Sequence, residues 1–152
     1  MQVERSFVVP VAPEVVFDYL ADFTATESWD PGTVSTVRTS GDGGLGTTYT
    51  NVSRFLGRKV TVRYTCITFD RPSHVVFRGR NGRATATDDL SFAPAETDDG
   101  VPGTRITYRA TFDFGQPLNL LVPPLMRGRV EALADETVEA LTTALLALPV
   151  TH

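Results

Sequence analysis

Residues 124–148 read PLMRGRVEALADETVEALTTALLAL. Met126, Val130, Leu133, Ala134, Thr137, Val138, Leu141, Ala144, Leu145 and Leu148 recur at steps of three and four, so at 100° per residue they share one side of a helix. Arg129, Glu131, Asp135, Glu136, Glu139, Thr142 and Thr143 take the other side. Pro124 suits a first turn, where its missing N–H costs nothing, and Pro149 ends the helix. At ~1.5 Å per residue the helix is roughly 35–40 Å long, enough to cross a small domain. Everything upstream reads as short strands and turns. The pattern predicts a sheet wrapped around one long helix.

Arg127 projects onto the apolar side of that helix. Either its stem lies along the core and its head reaches water, or it faces a cavity and meets an anion there. The macrodipole disfavours a cation so near a helix N-terminus, so the residue is worth following.

Working back along the chain, period-two alternation marks the strands. Thr104 to Phe114 is the clearest, with Ile106, Tyr108, Ala110, Phe112 and Phe114 on one face and Arg105, Thr107, Arg109, Thr111 and Asp113 on the other. Gly115-Gln116-Pro117 breaks it, and Leu118 to Val122 reads as a short apolar link. Arg83 to Ala93 places Ala84, Ala86, Asp88, Leu90 and Phe92 together. His74 to Arg80 precedes it, and Asn81-Gly82 between them is a type I′ hairpin signal. Lys59 to Phe69 sets Val60, Val62, Tyr64 and Cys66 against Lys59, Thr61, Arg63 and Thr65. Thr47 to Phe55, Thr33 to Thr39 and Val3 to Val9 complete the set. Residues 94–103 read as a polar hairpin loop whose Asp98 and Asp99 are solvated charge.

Between the first two strands, Pro13 opens a short helix over Glu14 to Ala21. A second piece over Thr24 to Ser28 has Thr24 as N-cap and Glu27 at the capping-box position. Trp29-Asp30-Pro31-Gly32 is a turn. Gly41 to Gly46 superficially resembles a phosphate loop, but no Lys-Ser/Thr and no helix follow, so a hairpin turn explains it better. Hairpin connections imply an antiparallel sheet with one wet face and one apolar face.

The chain has 152 residues, 41% hydrophobic and 21% charged, with a net charge of −4. One domain over 1–152 is expected. An acidic balance argues against nucleic acid and anionic membrane surfaces. No run approaches the ~18 apolar residues of a membrane span, and the first residues carry charge where a signal peptide is apolar. Cys66 is the single cysteine, so no internal disulfide forms and a cytoplasmic location is expected.

Little in the chain looks reactive. His74 and His152 have no partner at ligand spacing, so neither a metal site nor a cofactor is expected. A Cys66–His74 dyad needs both on one face, whereas Cys66 follows the apolar side and His74 opens its strand beside Pro72. Asp88 is the exception: it shares the parity of an apolar face, where a carboxylate is costly unless paired or neutralised. Either a bulge beside Asp89 turns it outward, or it faces a cavity with Arg127, Tyr64 or Tyr108. Tyr49, Tyr64 and Tyr108 are either core aromatics with wet tips or hydrogen-bonding groups for a ligand. Trp29 either rims the pocket or seals the corner between helices and sheet.

Several segments carry a family likeness: Ala12-Pro13-Glu14-Val15-Val16-Phe17-Asp18-Tyr19-Leu20, Asp22-Phe23, Trp29-Asp30-Pro31, Gly46-Thr47-Thr48-Tyr49, Asp88-Asp89-Leu90-Ser91-Phe92 and Gly103-Thr104-Arg105-Ile106-Thr107-Tyr108. In this order they resemble the START-like helix-grip superfamily, and within it the bacterial polyketide cyclase/dehydrase and lipid-transport group. The resemblance implies an α+β helix-grip fold: a curved antiparallel sheet of six or seven strands around the C-terminal helix, with two short helices after strand 1. It also implies a pocket between them, without fixing what occupies it.

Two functions follow as expectations. One is binding or carrying a small hydrophobic ligand of lipid, polyketide or isoprenoid type. The other is a cyclase or dehydratase using Asp88, Tyr64, Tyr108 and Arg127. The pocket is expected to involve Trp29, Tyr49, Tyr64, Phe77, Asp88, Leu90, Tyr108, Phe112, Met126, Arg127, Val130 and Leu133. A protein-interaction role for Leu118 to Val122 is a third, weaker option, and a homodimer is compatible with the chain.

Overall fold

The computed structural model describes residues 1–55, 57–116 and 118–149, leaving aside the side chains of 120–123 and 125. Strand β1 (Gln2–Val9) leads into helix α1 (Pro13–Leu20), a 3₁₀ turn (Phe23–Ala25) and helix α2 (Thr26–Trp29). Six strands follow: β2 (Thr33–Ser40), β3 (Thr48–Phe55), β4 (Arg58–Asp70), β5 (His74–Asn81), β6 (Ala84–Glu96) and β7 (Pro102–Asp113). Helix α3 (Leu118–Leu146) completes the described chain. The strands form one antiparallel sheet in the order β1-β7-β6-β5-β4-β3-β2. The sheet is curved, and α3 lies across its apolar face.

The stripe on α3 is what holds it there. Met126, Val130, Ala134, Thr137, Leu141 and Leu145 are buried at steps of three and four. At ~25 cal/mol per Å² of apolar area, each large side chain in that row contributes about 1.5–3 kcal/mol. Arg5 on β1 ties down the helix's outer side: its Nη2 lies 2.6 Å from Glu131 Oε2 and its Nε 2.8 Å from Asp135 Oδ1.

Five details depart from the sequence reading. Helix α3 begins at Leu118, not Pro124, so the expected link is its first turns. Pro123 and Pro124 removed the usual helix signal there, since each deletes a donor. Asn119 settles the entry: its N donates to Gly115 O, and its side chain joins Phe114 N and Asp113. Any interaction role for the Leu118–Val122 stretch rests largely on side chains outside the described residues. Second, Asp22, and not Thr24, caps the 3₁₀ turn, accepting from Thr24 N at 3.0 Å, while Glu27 accepts from Thr36 N.

Third, β6 and β7 extend into the supposed loop, leaving only residues 97–101 as the turn, closed by Thr97 N donating to Val101 O. Fourth, the β5–β6 turn sits one residue later than expected, because Asn81 pairs with Ala84 and Gly82 takes φ 57°, where a side chain would be strained. Fifth, a bulge at Ile67 shifts β4 by one residue, leaving Ile67 exposed and turning Phe69 inward onto Phe17, 5.1 Å between ring centres. The Gly41–Gly46 stretch is the β2–β3 connection, as expected of a hairpin. His152 lies outside the described residues.

Candidate ligand cavity

A cavity of about 300 Å³ lies between the sheet and α3. Val130, Leu133, Ala134 and Thr137 form its helix side. The sheet side comes from inward positions of neighbouring strands: Val62 and Tyr64 on β4, Ala84, Ala86 and Asp88 on β6, and Tyr108, Ala110 and Phe112 on β7. Exposed Arg54 and Asn81 border it and mark where it reaches the surface.

Asp88 faces inward because β6 runs without a bulge past it. Asp88 pairs with Phe77 and Ala110, and Asp89 with Val76 and Arg109, in unbroken register. Alternation therefore sends Asp89 outward, where its Oδ1 lies 2.8 Å from His74 Nε2. The same parity separates His74 from the inward, buried Cys66, so no dyad forms. Cys66 instead donates to Thr68 O, and burial pushes its thiol up.

Tyr108 Oη donates to Asp88 Oδ1 at 3.1 Å. Burial in apolar surroundings pushes the Asp88 carboxyl up to about 7; the neighbouring Asp30 charge adds to this, and the Tyr108 hydrogen bond opposes it. Near neutral pH the group is divided between acid and carboxylate. Burial raises the Tyr64 and Tyr108 hydroxyls too, with the Asp88 and Asp30 charges adding, so both stay protonated.

Asp30 is the residue that sequence reasoning missed. It belongs to the turn after α2 and borders the same cavity. Its Oδ1 accepts from Gly32 N at 3.0 Å and its Oδ2 from Thr33 Oγ1 at 2.8 Å. Burial pushes its carboxyl up, against the pull of those two bonds. The Asp-x-Gly-Thr sequence of an Asx turn was the available signal, but it says nothing about facing a cavity.

Gly79 positions Tyr64. The two are opposite in the β4–β5 register, and a Cβ on Gly79 would stand 2.7 Å from Tyr64 Cε1 and 2.5 Å from Val62 Cγ1. The missing side chain lets the tyrosine ring lie over β5. Among the described residues the Tyr64 hydroxyl has no hydrogen-bond partner, although the residue is only 8% exposed.

The remaining expected pocket residues separate by depth. Phe112, Val130 and Leu133 line the cavity with Tyr64, Asp88 and Tyr108. Trp29, Tyr49, Phe77, Leu90 and Met126 are buried in the core beyond it. Phe23, projecting from the 3₁₀ turn, fills that end: its ring centre lies 4.4 Å from Phe77, 4.5 Å from Tyr64 and 5.7 Å from Tyr49. Trp29 packs edge-on against Tyr108 at 6.1 Å.

Arg127 is not in the cavity. Its side chain is 60% exposed and its Nε lies 3.5 Å from Glu131 Oε1. It falls at the edge of the buried stripe, in line with Leu145, and its long side chain carries the head to solvent beside Glu131. An Asp88–Arg127 pair, one of the alternatives the sequence left open, is therefore ruled out. Among the described residues no group of three or more metal-ligating side chains converges, and no helix is long and apolar enough to cross a membrane.

Solved structures share this architecture. A START superfamily protein from Mycobacterium smegmatis superposes with a TM-score of 0.69 at 18% identity, over 95% of this chain and 93% of that one. The Zhui aromatase/cyclase from Streptomyces sp. R1128 gives 0.64 at 17%, over 96% and 91%. A conserved protein from Geobacillus kaustophilus gives 0.72 at 15%, over 96% and 95%. At these identities the likeness establishes the fold alone. No curated protein matches the chain in sequence. The family model described as polyketide cyclase / dehydrase and lipid transport matches residues 1–145, and the chain belongs to that family.

Proposed function

We infer that the protein binds or carries a small hydrophobic ligand of lipid, polyketide or isoprenoid type in the cavity between the sheet and α3, acting in the cytoplasm as a single domain. The observation that carries this reading is an apolar cavity with a few polar groups on its wall, the usual form of a small-molecule site. The family description, which includes lipid transport, supports it. The net charge of −4 makes nucleic acid a poor partner. Mass spectrometry of the native protein tests it: a stoichiometric small apolar molecule should travel with the folded chain and leave on denaturation. Bare protein that also takes up no apolar probe contradicts it.

One observation favours the enzymatic alternative, a cyclase or dehydratase. Asp88, with its carboxyl at about 7 and Tyr108 hydrogen-bonded to it, is suited to exchange a proton at neutral pH. On that reading a polyketide-like substrate incubated with the protein changes mass by one water or cyclises, and Asp88→Asn abolishes the change. A substrate recovered intact leaves binding alone.

A further inference from the structure

The charged groups inside the cavity are of one sign. Asp30 and Asp88 are the acidic residues on its wall, and among the described lining residues the one basic side chain belongs to Arg54, exposed at the border. The buried stripe of α3 adds no cation, because Arg127 points to solvent. Hydrogen bonding narrows the choice further. Both Asp30 oxygens already accept bonds from their own turn, and Asp88 Oδ1 accepts from Tyr108. Asp88 Oδ2 and the Tyr64 hydroxyl have no partner among the described residues, and both residues line the cavity. Tyr64 is held there by the space over Gly79. Around Asp30, Asp88 and Tyr64 the unfilled positions are thus a carboxylate oxygen, which can only accept when ionised, and a phenol, which can donate or accept.

A ligand carboxylate in that place would bring a third acid next to two and meet no buried cation to offset it. A ligand ammonium would do the reverse: it would donate to Asp88 Oδ2 and to Tyr64 Oη, and neutralise the carboxylate whose charge is otherwise uncompensated. Aromatic rings nearby, from Tyr64, Tyr108 and Phe112, favour a cation as well.

We propose that the cavity selects an apolar ligand whose polar end is an amine, seated between Asp88 and Tyr64, and rejects carboxylated ligands such as fatty acids. This rests on the reading of the cavity as a ligand site and narrows it to one ligand class.

The test uses three probes of one size: 2-naphthylmethylamine, 2-naphthalenemethanol and 2-naphthoate, titrated by calorimetry into the whole protein at pH 8. The amine should bind tightest, the alcohol next and the carboxylate weakest, with at least about a tenfold gap between the first and last, as a charge-assisted hydrogen bond provides. In Asp88→Asn most of that gap should close, with the amine losing the most affinity. A carboxylate that binds as well as the amine, or a gap unchanged in Asp88→Asn, overturns the proposal; the wild-type comparison stands even if the variant does not fold. Equal binding of all three overturns the amine preference and leaves the ligand site standing, whereas no binding of any of them overturns both.

Discussion

Replacing Asp88 by asparagine should stabilise the protein at alkaline pH and leave it unchanged in acid. The folded protein holds the Asp88 proton up to about 7, whereas an ordinary aspartate releases it at 3.8. Between those values the folded chain binds more protons than the unfolded one, so stability falls as pH rises. The gap, at ~1.36 kcal/mol per pH unit, comes to about 4 kcal/mol by pH 8. Water reaching the carboxylate through the cavity lowers the expectation to about 2–4 kcal/mol. Asp30, also raised, acts in the same direction. Asp18 and Asp113 act oppositely, because Arg71 and Asn119 hold them below their ordinary value. Their contribution is lost as pH drops through and below 3.8, so stability should peak near pH 4. An asparagine at 88 has no charge to bury and can still accept the Tyr108 hydrogen bond. Urea unfolding at pH 4.5, 6 and 8 measures the difference directly. The variant should exceed the wild type by no more than about 1 kcal/mol at pH 4.5 and by about 2–4 kcal/mol at pH 8. A difference that stays constant across the three pH values would refute an inward, desolvated Asp88.

Other substitutions read neighbouring parts of the account. Tyr108→Phe removes the hydrogen bond that favours the charged form of Asp88, so the pH-dependent loss of stability, still beginning near 3.8, should extend to higher pH and grow larger in the same urea series. Gly79→Ala places a methyl against Tyr64 and Val62; overpacking of this kind costs about 1–3 kcal/mol, and probe affinity should fall with it as Tyr64 is displaced. Arg127→Met should leave probe affinity unchanged and alter stability by no more than about 0.5 kcal/mol, as expected of an exposed side chain.

Periodicity carried the reading of the sequence as far as periodicity goes. The α3 stripe and the alternation of β6 and β7 were legible because a buried face forces a regular repeat; that repeat gave Asp88 inner parity, and the unbroken register of β6 excludes the bulge that would have turned it outward. Parity names a face but not a depth along it. Phe77 and Leu90 share the inner face with Tyr64, yet Phe23 covers their end of the sheet and the cavity begins further along. Asp30 was illegible for the opposite reason, since it sits in a turn with no period to extrapolate. Arg127 was left ambiguous because it falls at the edge of the buried stripe, where a long side chain can carry its head to solvent. Phe69 depended on a bulge that leaves no mark in the sequence. Two carboxylates kept where burial disfavours their charge break the local rules, and such breaks tend to collect at functional sites.

Titration with prodan, a neutral fluorophore sensitive to its surroundings, tests most directly whether the space between the sheet and α3 is a ligand site. Ala110 is 3% exposed, lies opposite Asp88 in the β6–β7 register and lines the cavity. A phenylalanine there would project its ring into the space a ligand needs. The account predicts saturable binding of one prodan with blue-shifted emission by the wild type, and at least about a tenfold loss of affinity, ~1.4 kcal/mol, in Ala110→Phe with the circular dichroism spectrum unchanged. Equal affinity in a folded Ala110→Phe variant, or no saturable binding by the wild type, would contradict it.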